Sequence, residues 1–167
     1  DDLAIAQREG RLHRNFQGYS THAEADLVSC GVSAISAVGP TYSQNVKTLD
    51  AYYEHIDKGE LPVARGIKLT DDDLLRRTLI QRLMCNFELS MADIAQTYAI
   101  DFASYFAPEL EQLRIMQDDG LITLDGDWLR VTLKGRLLIR NICMVFDIYL
   151  KQKREIQPET LRYSKTI

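Results

Sequence analysis

RNFQGYS, residues 14–20, and DLVSCGVSAIS, residues 26–36, are the two stretches on which the reading of the fold turns. The first sets an aromatic ring and an amide, Phe16 and Gln17, directly before Gly18, whose missing Cβ lets backbone come close to a ligand. The second is a short apolar run punctuated by glycine, read as a strand and a turn. An aromatic-tipped loop, an apolar strand and a second loop are how the last strands of an α/β barrel present backbone to a ligand. Upstream, residues 3–13 show helical spacing, with Leu3, Ala6 and Leu12 roughly on one face, and nothing there completes a barrel. The chain therefore reads as the end of one domain without its beginning.

Working outward, GPTYSQN at 39–45 is turn chemistry. Residues 46–58 read as a helix with Leu49, Tyr52, Tyr53 and Ile56 on its apolar side and Gly59 as its stop. Residues 61–69 read as extended. A new unit starts at Thr70, where Thr70 with Asp73 forms a capping-box-like start and Asp71, Asp72 and Asp73 suit the positive end of a helix dipole. That helix should run to about residue 85. Ser90 and Asp93 open a second to about 98, and a third covers 102–117. Two short apolar runs, 121–124 and 128–132, flank Asp125-Gly126, a strong hairpin signal. A final helix over 134–153 is apolar around most of its circumference and reads as a buried spine. The tail, 155–167, is polar and reads as loosely docked.

The expected fold class is α+β and mainly helical. Residues 1–68 form the end of a barrel with its connecting segment. Residues 69–167 form a winged-helix-like helical domain with a β-hairpin near 121–132.

A chain of 167 residues with 46% hydrophobic and 26% charged side chains is ordinary for a globular protein. Its net charge of −4 argues against a general nucleic-acid binder. No apolar run is long enough for a membrane span, and residues 1–14 lack the layout of a secretion signal, so a cytoplasmic location is expected. The three cysteines, Cys30, Cys85 and Cys143, match no metal-ligand spacing and read as reduced thiols.

With KGRLLIRNICMVFDIYL at 134–150 added to the two opening stretches, nearly the whole chain closely resembles the C-terminal part of the oxygen-independent coproporphyrinogen III oxidases. These are radical-SAM enzymes of haem biosynthesis. The resemblance implies that the barrel is a radical-SAM barrel and that the parent binds S-adenosyl-L-methionine (SAM) and a 4Fe-4S cluster. It implies that two propionates of the tetrapyrrole substrate, coproporphyrinogen III, are oxidatively decarboxylated to give protoporphyrinogen IX without oxygen. It further implies that Phe16, Gln17 and Ile35 line the SAM region. Such enzymes hold their cluster on a CxxxCxC triplet, which this sequence lacks. The segment alone is therefore expected to be inactive and to bind neither cofactor. The parent is expected to be a monomer without nucleic-acid or membrane partners. No catalytic or metal-binding residue is assigned within these residues.

Bland readings stand beside these. Tyr19, Ser20 and Thr21 either meet a ligand or satisfy their own loop. His13, His22 and His55 read as solvated or capping groups. Arg136 and Arg140, near Asp147, either face substrate carboxylates or form an internal ion-pair cluster, and Arg76 and Arg77 share that ambiguity. The tyrosines read as half-buried packing, with Tyr52 and Tyr53 placed at a seam between the units. The alternative function is a stand-alone winged-helix interaction or DNA-binding module. Against DNA binding, the third helix carries Asp101, Glu109, Glu111, Asp118 and Asp119 with Arg114 alone to balance them.

Overall fold

The structure, a computed structural model, describes residues 1–150. Helices and antiparallel sheets are mixed in two compact units, Asp1–Arg77 and Thr78–Ile167. The expectations for 151–153 of the last helix and for the tail 155–167 fall outside the described residues.

The first unit opens with α1 (Asp2–Arg8), capped by the Asp1 carboxylate, which accepts from the Leu3 N–H at 3.1 Å. The helix is shorter than its apolar spacing suggested. A tight hairpin follows, β1 (His13–Asn15) and β2 (Gly18–Ser20), with Asn15 opposite Gly18. The expected loop at 14–20 is thus two strands, with Phe16 and Gln17 forming the turn. Asn15 closes that turn locally, its Oδ1 accepting from the Gln17 N–H at 2.9 Å.

After a loop that forms one isolated β-bridge to the sheet, Leu27 opposite Ala37, an antiparallel meander forms from β3 (Ile35–Val38), β4 (Thr41–Asn45) and β5 (Val63–Lys68). The turn expected over 39–45 is therefore confined to Gly39 and Pro40, and TYSQN pairs on both sides. Between β4 and β5 lies α2 (Leu49–Asp57), with Thr48 at its N-cap.

The helix α3 (Asp71–Asn86) crosses the division between the units. Its start is a reciprocal cap. Asp73 Oδ2 accepts from the Thr70 N–H at 2.8 Å, and Thr70 Oγ1 accepts from the Asp73 N–H at 3.2 Å.

In the second unit a short strand, β6 (Glu88–Ser90), precedes α4 (Met91–Tyr98), whose cap is Ser90 accepting from the Asp93 N–H at 3.1 Å. The single helix expected over 102–117 is two, α5 (Phe102–Tyr105) and α6 (Ala107–Asp118). Pro108 has no N–H to continue the ladder, so the chain breaks at Phe106 and restarts. The hairpin is present as β7 (Ile122–Asp125) and β8 (Trp128–Val131), but Asp125 pairs with Trp128. Its turn is therefore Gly126-Asp127, one residue later than expected, with Gly126 at φ 55° as the first position of a II′ turn requires. The strand β6 joins the other side of β8, giving the order β6-β8-β7.

The expected continuous last helix is replaced by α7 (Leu133–Arg136), a turn through Leu138, and α8 (Ile139–Met144), with a further helical turn at 148–150. Leu138 at φ −114°, ψ 23° leaves the helical region. Nor is this segment buried throughout. Ile142, Cys143, Val145 and Phe146 are buried, whereas Leu133 and Leu137 are 80% and 87% exposed.

The buried apolar residues concentrate here. Phe102, Phe106 and Phe146 pack as tilted and edge-to-face pairs at 4.8 and 5.6 Å, among Leu79, Leu83, Leu89, Ile94, Leu113, Leu129 and Ile142. Each such side chain contributes about 1.5–3 kcal/mol of burial. In the first unit the buried apolar residues among those described are few: Ala6, Pro62 and Leu75. Its meander instead exposes Val38, Val63 and Ile67.

Candidate functional site

The hairpin β1–β2 lifts Phe16 and Gln17 to its tip. Phe16 is 52% exposed and meets Tyr42 edge-to-face, with ring centroids 5.4 Å apart. About half of the residue's surface stays open to solvent. Gln17 is exposed, and its side-chain amide makes no hydrogen bond among the described residues, so a donor and an acceptor are both available.

Tyr42 is the anchor. On its other side the Arg77 guanidinium lies 5.9 Å from the ring centroid, and Arg77 Nη1 donates to the Tyr42 hydroxyl at 3.3 Å. His13, at the base of the hairpin, has its pKa held below 6.5 by burial and by the Arg77 charge, with Glu24 acting in the opposite sense.

Sheet register brings Ile35 to the same face. Ala37, Tyr42 and Ile67 stand opposite one another across the three strands, as do Ile35, Gln44 and Arg65, and the two rows are separated by two residues along each strand. Ile35 is half-buried, one row along the same sheet face from Tyr42, which the Phe16 ring meets. Of the three residues the sequence singles out, the tip holds two and the sheet face beneath Tyr42 holds the third.

The loop before Ile35 is fastened by groups that sequence reasoning passed over. The Gly31 N–H donates to the Tyr52 hydroxyl at 3.1 Å, and Asn45 Nδ2 donates to the Gly31 carbonyl at 2.9 Å. Ser29 Oγ donates to the Ile35 carbonyl at 2.8 Å. Asn45 is buried, and a buried amide is retained only where it is paired. Tyr52 thus ties the first unit's own loop. No local signal marks Tyr42, Asn45 or Tyr52, because each acts through a partner far along the chain.

The remaining candidates take the bland readings where a partner is visible. Ser20 Oγ accepts from the His22 N–H at 3.0 Å, and the Arg14 guanidinium lies 5.5 Å from the Tyr19 ring. His55 pairs with Glu60 at 3.2 Å, and Arg76 with Asp72 at 2.8 Å. Arg136 covers the Phe87 ring at 4.4 Å, and Arg140 is exposed. The expected ion-pair cluster with Asp147 is absent among the described residues. Asp147 instead accepts from the Leu150 N–H at 3.1 Å.

The cysteines do not fit an iron–sulfur cluster. Cys30 is exposed, Cys85 and Cys143 are buried, and no group of three potential metal ligands occurs among the described residues. Among those residues, no helix is long and apolar enough to cross a membrane.

Residues 69–138 match the HemN C-terminal domain family. The chain is 52% identical over 157 residues to the oxygen-independent coproporphyrinogen III oxidase of Escherichia coli, and 50% identical over 161 residues to that of Synechocystis, covering 94% of this chain in each case. The Helicobacter pylori oxidase is 36% identical over 90% of the chain. A solved structure of the Escherichia coli protein, described as a radical SAM enzyme, superposes with a TM-score of 0.85 over 89% of this chain at 52% identity.

This chain is homologous to the C-terminal part of the oxygen-independent coproporphyrinogen III oxidases. It spans about a third of their length, covering 34% of the Escherichia coli and Synechocystis oxidases and 34% of the solved chain. The mixture of helices and sheets is that of the oxidase structure.

Proposed function

We propose that this chain serves as the C-terminal third of an enzyme that converts coproporphyrinogen III to protoporphyrinogen IX without oxygen. The observation that carries this is 52% identity over 94% of the chain to an oxidase of that name, together with a TM-score of 0.85 to its structure. We read residues 1–68 as the closing part of a radical-SAM barrel and 69–167 as a winged-helix-like domain. The exposed apolar residues of the meander support the first reading, since such a sheet gains stability when further elements cover it. The order α3, β6, α4, α6, β7, β8 supports the second.

Phe16, Gln17 and Ile35 suit SAM. A ring with an open face accepts an adenine or a sulfonium methyl group, an uncommitted amide reads a polar edge, and Ile35 supplies apolar contact. When bound, SAM supplies the radical chemistry that removes hydrogen from a propionate arm. The residues of this chain bind, orient and exclude water. The cluster must be held elsewhere in the parent, because these thiols do not form a ligand set. The segment alone is accordingly inactive, and the parent works in the cytoplasm as a monomer.

Anaerobic reconstitution with iron, sulfide, SAM and a reductant tests this. The full-length protein should release carbon dioxide from coproporphyrinogen III, and the present chain should release none. A 4Fe-4S absorption spectrum and 5′-deoxyadenosine from the chain alone would overturn the reading.

A further inference from the structure

Two guanidiniums flank the face that carries Ile35 and Tyr42, and both are held by uncharged oxygens. Arg65 donates to Gln44 Oε1 from Nε and Nη2 at 3.0 and 2.6 Å. Arg77 donates only to the Tyr42 hydroxyl, at 3.3 Å. Neither forms an ion pair with a carboxylate among the described residues. Gln44 grips Arg65 along one edge of its planar fork, which fixes the side chain and leaves the outer edge with Nη1 available. Gln44 and Tyr42 are two residues apart on β4, about 7 Å along the strand, so the two cations stand side by side on a face that is otherwise apolar or neutral.

A guanidinium fixed by a neutral oxygen is poised to take an anion, and of the two Arg65 is exposed and Arg77 half-buried beside the aromatic pair. Resting on the proposed function, we propose that Arg65 and Arg77 hold propionate carboxylates of the tetrapyrrole. These would be arms other than the one that reacts, so the two arginines are binding and specificity residues, not catalytic ones. Four carboxylates on one macrocycle need cations at defined spacing. Bidentate pairing to a preorganised arginine supplies direction as well as charge.

The test is equilibrium binding of coproporphyrin III to the full-length protein, followed by porphyrin fluorescence, beside SAM affinity measured on the same samples. Arg65→Gln and Arg77→Gln should each weaken porphyrin binding about ten- to a hundred-fold, the loss of one charge-assisted pair. In Arg65→Gln, SAM affinity should stay within about twofold. Gln44→Glu, which neutralises Arg65 in place, should weaken porphyrin binding in the same direction. The tetramethyl ester of the porphyrin should bind weakly to the parent and lose nothing further in either arginine variant. Unchanged porphyrin affinity in folded Arg65→Gln and Arg77→Gln proteins would overturn the proposal. Because binding needs no turnover, it reads the arginines even if the parent proves not to be an oxidase, an outcome that only the reconstitution assay would show.

Discussion

Gly135 on α7 approaches Leu121 so closely that a Cβ built on the glycine would lie 1.9 Å from the Leu121 carbonyl oxygen. The same carbonyl accepts from the Thr132 N–H at 3.0 Å, and the Thr132 hydroxyl caps α7 by accepting from the Gly135 N–H at 3.0 Å. The turn from the hairpin into the last helices is thus packed backbone against backbone. Only a residue without a side chain fits there, since the obstructing atom is main chain and cannot swing away.

Gly135→Ala should therefore destabilise this chain by about 3 kcal/mol, at the upper end of the usual cost of overpacking. Urea denaturation followed by circular dichroism measures it. A loss below about 0.5 kcal/mol, the scale of a neutral surface change, would contradict this packing.

Tyr52→Phe deletes the hydroxyl that accepts from the Gly31 N–H. The expected cost is about 1 kcal/mol, with faster amide exchange at Gly31 and little change at Leu129 in the other unit's sheet. Hydrogen exchange by NMR reads both sites, and unaltered exchange at Gly31 would show that the loop is held without Tyr52.

His13 gives the chain a pH dependence whose sign follows from its surroundings. Burial first, and then Arg77, hold its pKa in the fold below the ordinary histidine value of 6.5. The unfolded chain therefore takes up the proton at higher pH than the folded chain does. This contribution to stability is present above about pH 6.5 and is lost as pH falls toward the folded value. Urea midpoints at pH 7.5 and 5.5 should fall with acid, and His13→Gln should flatten that component. A difference between the two pH values that is the same in the variant would contradict it.

Local signals were legible where the determinant was local. Thr70 with Asp73 and Ser90 with Asp93 announced helix starts because each cap closes within three residues. The C-terminal hairpin was legible from its Asp-Gly, though the turn begins at the glycine. Strand β6 was not legible. Glu88, Leu89 and Ser90 carry no alternation long enough to detect, and they become a strand only because β8 offers them a free edge. The hairpin β1–β2 was hidden for a related reason: Phe-Gln is not a customary turn pair, and Asn15 supplies the missing closure. The long last helix failed on packing, since Leu133, Leu137 and Leu138 imitate a buried face while standing exposed. Phe16, Gln17 and Ile35 were singled out through the family resemblance. Their grouping depends on Tyr42 and on sheet register, which no short stretch encodes.

The most direct measurement is SAM affinity in the anaerobically reconstituted full-length protein, comparing the parent with Phe16→Ala and Gln17→Ala. Both residues are exposed at a hairpin tip, so neither change should lower stability by more than about 0.5 kcal/mol. Each should weaken SAM binding by about tenfold or more, as expected when a stacking face or a buried polar contact is lost. SAM affinity equal to that of the parent in both folded variants would contradict the placement of this hairpin against the cofactor.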